Sequence, residues 1–180
     1  MVALVAALTA VGGWLSIPLK PVPFTLQVFF VLLAGMVLGP KLGSLSQVIY
    51  ILLGVAGLPV FANGASGFGA LVGPTGGYLI GFVIGSYIVG LLYSEKGRFL
   101  AARIISPLAG LFVIYLFGAV QLSYVTDFTP AKALAVGVVP FILFDFIKAL
   151  LAFVVADRLR AAGFAFGSGD VAAEAEKISG

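Results

Sequence analysis

Two ionisable residues stand where almost nothing else is polar. Asp145 and Lys148 lie inside the apolar run from residue 137 to 156, GVVPFILFDFIKALLAFVVA. Spaced i, i+3, they share one face of a helix and are close enough to pair. A charge at membrane depth costs roughly 2.5–3.5 kcal/mol on insertion scales, so such groups turn toward a bundle interior, a partner or a wet cavity. A carboxylate there can accept from a ligand N–H, and an ammonium can meet an anion. The competing reading is an internal salt bridge that locks the helix, but a buried ion pair is a costly way to pack.

Two further stretches carry polar groups. The segment 57–82, GLPVFANGASGFGALVGPTGGYLIGF, is rich in glycine and the least lipid-like part of the chain. Non-helical backbone at membrane depth is tolerated only against protein or a cavity. Asn63 offers donors and an acceptor there, Thr75 a hydroxyl, and Tyr78 an aromatic face with a polar tip. The segment cannot be a nucleotide loop of the Walker type, because no Lys-Ser or Lys-Thr follows its last glycine. The other stretch, KPVPFTLQ at 20–27, holds Pro21 and Pro23 in extended form. It is either a stiff connector or a lid, with Phe24 and Gln27 pointing into an outward pocket.

The elements that position these residues follow from composition. Of 180 residues, 62% are hydrophobic and 9% charged, against about 25% charged in a soluble domain. With a mean hydropathy of +1.21, the chain is expected to be an all-α integral membrane protein. Cysteine and histidine are both absent, which removes disulfides, thiolate catalysis, Cys/His metal sites and imidazole relays. Six apolar stretches are expected to form spans at about 1–18, 26–38, 42–60, 76–93, 99–122 and 137–158. The first reads as a retained span rather than a signal peptide. The second is short for a span, which needs about 17 residues or more. The tail 161–180 reads as a flexible cytoplasmic end.

Basic residues set the expected orientation. Six spans put both termini on one side with Lys41, Lys96, Arg98, Arg103, Arg158, Arg160 and Lys177, and only Lys20 and Lys132 on the other. The positive-inside rule then makes both termini cytoplasmic. The connections 19–25, 61–75 and 123–136 face outward, and Asp145 lies about 12 Å down its helix from that side. Near the N-terminus, Ala3 and Ala7, with Ala6 and Ala10 as a second pair, have the small-xxx-small spacing that lets helices approach closely in lipid.

Together, PVPFTLQ, the long glycine segment with GPTGGY, and D-x-x-K in the last span resemble the BioY family, the biotin-binding S components of energy-coupling-factor (ECF) vitamin transporters. The resemblance covers the chain to about Arg160. It implies a six-helix S-component bundle with an outward-facing biotin pocket. It also implies partnership with a transmembrane T component and two ATP-binding-cassette ATPases, and delivery of the vitamin by toppling of the whole subunit in the bilayer. The family's docking motif maps onto Ala3 and Ala7. Its site residues map onto Asn63, Asp145 and Lys148, to which position adds Thr75 and Tyr78.

Biotin's chemistry suits these groups. Its two ureido N–H groups match a carboxylate, its ureido carbonyl an amide, and its own carboxylate a cation. Which polar residue meets the ureido ring and which the carboxylate stays open. Rings of Phe24, Phe61, Phe68 or Tyr78 would supply apolar lining. No cofactor is implied, and no enzyme activity. Three other readings remain: an S component for another vitamin, a solitary proton-coupled carrier, and an intramembrane aspartyl enzyme. The last lacks a second carboxylate at depth, since Asp127 and Asp157 fall in a loop and at a helix end.

Overall fold

The computed structural model describes residues 1–93 and 100–163. The 94–98 connection and the tail beyond 163, with Lys96, Arg98 and Lys177, lie outside the described residues. What is described is almost entirely helical. Helix α1 (Val2–Trp14) leads into a two-stranded antiparallel hairpin, β1 (Ser16–Ile17) and β2 (Phe24–Thr25), with Ser16 opposite Thr25. Helix α2 (Gln27–Val55) follows, then a 3-10 turn (Ala62–Gly64) and the short α3 (Phe68–Val72). Helices α4 (Gly76–Tyr93), α5 (Leu100–Thr126), α6 (Pro130–Gly137) and α7 (Ile142–Ala161) complete the order.

Among the described residues, Gly76–Tyr93 and Ala101–Thr126 are long and apolar enough to cross a membrane, and Gln27–Val55 is so only when counted across its break at Gly39. The pair α6 and α7, bent by 58° at a short break, makes a fourth candidate. Helix α1 is apolar but has 13 residues, below the about 17 that a span needs.

The sequence separates 26–38 from 42–60, and α2 is broken at that point. Gly39 has φ 76° and ψ −178°, a conformation essentially reserved for glycine, and Pro40 behind it has no N–H to continue the ladder. The two halves fold back on each other. In a straight helix Gln27 and Tyr50 would sit about 35 Å apart, yet the Gln27 amide donates to the Tyr50 hydroxyl. At the other end of the hairpin, a side chain at Gly43 would press on the carbonyl of Ala34 at 2.9 Å.

Helix α4 packs against α5 through a stripe of glycines. Side chains at Gly77, Gly81 and Gly85 would meet the backbone of Phe117, Ile114 and Gly110 on α5. The i, i+4 spacing puts all three on one face, so the helix axes come close along their length. The core around this seam is largely apolar, with Val31, Leu32, Met36, Val89, Ile114 and Leu122 fully buried.

Helix α7 inverts the pattern of a soluble helix. Its buried residues are Asp145, Lys148, Ala149, Ala152 and Ala156, one face at helical spacing. The opposite face exposes Leu143, Phe146, Ile147, Leu150 and Leu151, as lipid contact demands. The outward connection expected from 123 to 136 differs from a plain loop, because it carries α6. Thr129 caps that helix, its hydroxyl accepting from the Lys132 N–H at 3.3 Å, and Pro130 suits the first turn. The expected span 137–158 therefore begins later, at Ile142, after the break around Pro140.

The Gly39–Pro40 end of the bundle carries a second cluster of charged side chains. Tyr93, at the end of α4, lies between the guanidinium groups of Arg103 and Arg160, 5.0 and 4.7 Å from its ring centre. Asp157 pairs with Arg103 and accepts from the Tyr93 hydroxyl at 3.2 Å. Asp157 is thus about 18 Å along α7 from Asp145.

Candidate functional site

At the opposite end from Tyr93, the β-hairpin, the start of α2 and helices α4, α5 and α7 enclose a cavity. It opens on one side, and the empty space counted out through that mouth into the surroundings is about 610 Å³. Val28, Leu79, Phe82, Ile114 and Phe141 form much of its apolar wall. The polar lining converges from several elements: Gln27 from α2, Thr75 and Tyr78 at the head of α4, Tyr115 from α5, and Asp145 with Lys148 from α7.

The charged pair is made as its spacing predicts. Lys148 Nζ donates to Asp145 Oδ1 at 2.6 Å, with the residues only 7% and 4% exposed. Two further bonds hold the pair. Lys148 Nζ also donates to the Thr25 carbonyl of β2 at 2.7 Å, and the Tyr115 hydroxyl donates to Asp145 Oδ2 at 2.7 Å. An ammonium has three N–H donors, so one remains beyond Asp145 and Thr25. Each carboxylate oxygen has two lone pairs, so Asp145 keeps acceptor capacity on both.

The hairpin closes one side of the cavity. Phe24 of β2 lies with its ring centre 3.8 Å from Lys148 Nζ, a cation–π contact, and packs on Phe141 and Phe144. Gln27 is buried and held through Tyr50, whose hydroxyl in turn donates to the Val60 carbonyl at 3.2 Å. Phe61 packs edge-on against Tyr50 and lines the cavity. Tyr78 is seated against Gly118 and Gly137, where a Cβ would collide with its ring and hydroxyl, and it donates to the Gly137 carbonyl at 2.7 Å. Its hydroxyl thereby ties α4 to the break between α6 and α7.

Seven residues singled out by the sequence meet here: Phe24, Gln27, Phe61, Thr75, Tyr78, Asp145 and Lys148. Asn63 lies outside the cavity lining. It is exposed on the 3-10 turn at φ 58°, and its Oδ1 accepts from the Ser16 hydroxyl at 2.9 Å, joining the glycine segment to β1. Phe68 is also exposed and away from the lining, whereas Phe61 is buried in it. On α1, Ala3 and Ala7 are exposed while Ala6 is buried, so the two small-residue pairs face different ways. Sequence reasoning passed over Tyr115, Tyr50 and the Thr25 carbonyl. A hydroxyl in mid-span must find a partner, and that was the available signal for Tyr115.

The geometry describes a binding site. A carboxylate and an ammonium face an apolar volume from one helix, with hydroxyls beside them and aromatic walls around. It fits a molecule with an apolar body, N–H donors and an anionic group.

The sequence model of the BioY family matches residues 1–164. The chain belongs to the BioY family. Among BioY relatives, a protein named biotin transporter BioY from Thermotoga maritima is 54% identical over 155 residues, covering 86% of this chain and 90% of that protein. A probable biotin transporter BioY from Pyrococcus horikoshii is 49% identical over 160 residues, with 89% and 94% covered. The fold is similar to a crystal structure of the S-component for biotin from an ECF-type ABC transporter, with a TM-score of 0.79 and 32% identity over 89% of this chain and 88% of that one.

Proposed function

We propose that this chain is the substrate-binding membrane subunit of a biotin uptake system, a transport protein and not an enzyme. Family membership fixes the class, and the observation that carries the ligand is the Asp145–Lys148 pair inside an aromatic-walled cavity. The ureido N–H groups of biotin suit the spare lone pairs of Asp145, its fused rings suit the apolar wall, and its carboxylate suits a free donor on Lys148. Thr75 and Tyr78 flank that ligand from α4. Phe24 and Gln27 sit in and behind the lid formed by the β-hairpin. Asn63 fastens the rim of that lid through Ser16. Biotin is the transported substrate, and no cofactor enters this account.

The subunit crosses the cell membrane six times, with α1 and the two halves of α2 as crossings shorter than a full-length span. The crossings are α1, the two halves of α2, α4, α5, and α7 with its leading α6. Charge supports the orientation: Lys41, Arg103, Arg158 and Arg160 gather at the Gly39–Pro40 end, while Lys20 and Lys132 are at the cavity end. By the positive-inside rule the cavity faces outward and both termini are cytoplasmic. The exposed Ala3 and Ala7 supply a close-contact face for a transmembrane T component, which together with two ABC ATPases drives reorientation of the subunit.

A competition series tests the ligand. Labelled biotin bound to the purified protein should be displaced by biotin and by desthiobiotin, which keeps the ureido ring. Vitamins without a ureido group should leave it bound. Displacement by thiamin or riboflavin at equal concentration would overturn the biotin assignment and leave the S-component class intact.

A further inference from the structure

Asp145 is gripped from two sides. Lys148 takes Oδ1 from the same helix, and Tyr115 takes Oδ2 from α5. The first bond follows from i, i+3 spacing, but the second crosses between helices and leaves the carboxylate little freedom to turn. Tyr115 itself is well fixed. Its neighbour Ile114 is fully buried at the point where Gly81 lets α4 touch the α5 backbone. Its side chain also lies between two spaces. One is the cavity already described, and the other is an apolar groove outside it, lined by Phe112, Leu116, Ala119, Val120 and Val138.

We infer that Tyr115 is the positioning residue that gives the site its selectivity for N–H donors, by orienting Asp145 through its hydroxyl while its ring closes the cavity toward the groove. The inference rests on the biotin reading above. A carboxylate held at both oxygens presents its remaining lone pairs in one fixed direction. A ligand N–H pair then meets acceptors that need no reorganisation, and a ligand without those donors strands them. A hydroxyl that only satisfied a buried acid would support every ligand equally.

Tyr115→Phe separates the two roles, because it removes the hydroxyl and keeps the ring wall. Biotin affinity should fall about tenfold, the scale of one hydrogen bond to a charged group. The inhibition constant of a tetrahydrothiophene valerate lacking the ureido ring should stay unchanged. In an Asp145→Ala background, which leaves no acceptor for the hydroxyl, Tyr115→Phe should cost nothing more. Equal losses for both ligands would overturn the inference, as would no loss for biotin or additive losses in the double variant. A melting curve and monodispersity matching the unaltered protein show that Tyr115→Phe folds. Should Asp145→Ala prove unstable, the two-ligand comparison decides alone. Failure of the unaltered protein to bind biotin would overturn the biotin reading, and this inference with it, before any substitution is made.

Discussion

At the residue scale, the ion pair is the part of the site most open to reading from sequence. Asp145 and Lys148 are conspicuous because every residue near them is apolar, and helical spacing alone makes them partners. Replacing Asp145 by Asn should weaken biotin binding by about 10- to 100-fold, the loss of a charge-assisted bond of roughly 1.5–3 kcal/mol. Lys148→Ala should also weaken it, and should loosen the lid because the bond to the Thr25 carbonyl goes with the ammonium. Titration calorimetry of both variants checks this, and unchanged affinity in both would remove the pair from the site. Tyr115 was less legible. A tyrosine in LFVIYLF looks like any amphipathic ring, and only the folded neighbour across the seam shows what its hydroxyl is for. Asn63 is a different case, since its residue type and loop suggest a pocket contact while the turn at φ 58° leaves it exposed and bonded to Ser16.

At the element scale, glycine does two different jobs, and stability measurements can tell them apart. Gly81→Ala would put a methyl 2.8 Å from the Ile114 Cα, so α4 and α5 must separate. Overpacking of this kind costs about 1–3 kcal/mol. It should lower the melting temperature in detergent and weaken ligand binding together, because Tyr115 rides on the displaced segment of α5. Gly39→Ala meets no atom within 4 Å, so its penalty is conformational, about 1–3 kcal/mol for a side chain in that region of φ/ψ. Because Gly39 lies at the far end from the cavity, the substitution should lower the melting temperature and leave biotin affinity unchanged. The break at Gly39–Pro40 was legible because both residue types interrupt helices for known reasons. Helix α6 was not, since PAKALAVG is short and carries Lys132, and its formation depends on the Thr129 cap and on packing of Ala133 against the core.

At the scale of the whole molecule, the proposed orientation and the proposed docking face on α1 can each be tested by labelling and substitution. The chain has no cysteine, so single cysteines introduced at Lys132 and Lys41 are unique labels. An impermeant maleimide applied to intact cells should modify Lys132→Cys and spare Lys41→Cys, and the reverse pattern would invert the orientation. Ala7→Trp, on the exposed face of α1, should leave biotin affinity intact and abolish ATP-driven uptake with the other subunits present. Loss of binding in that variant would show instead that α1 shapes the cavity. The central claim is that the cavity at the β-hairpin end holds biotin, and the most direct measurement is a calorimetric isotherm of biotin into the purified protein. Saturable one-to-one binding is expected, tight enough to survive dilution and weakened by Asp145→Asn. A folded, monodisperse protein that gives no binding heat with biotin would contradict it.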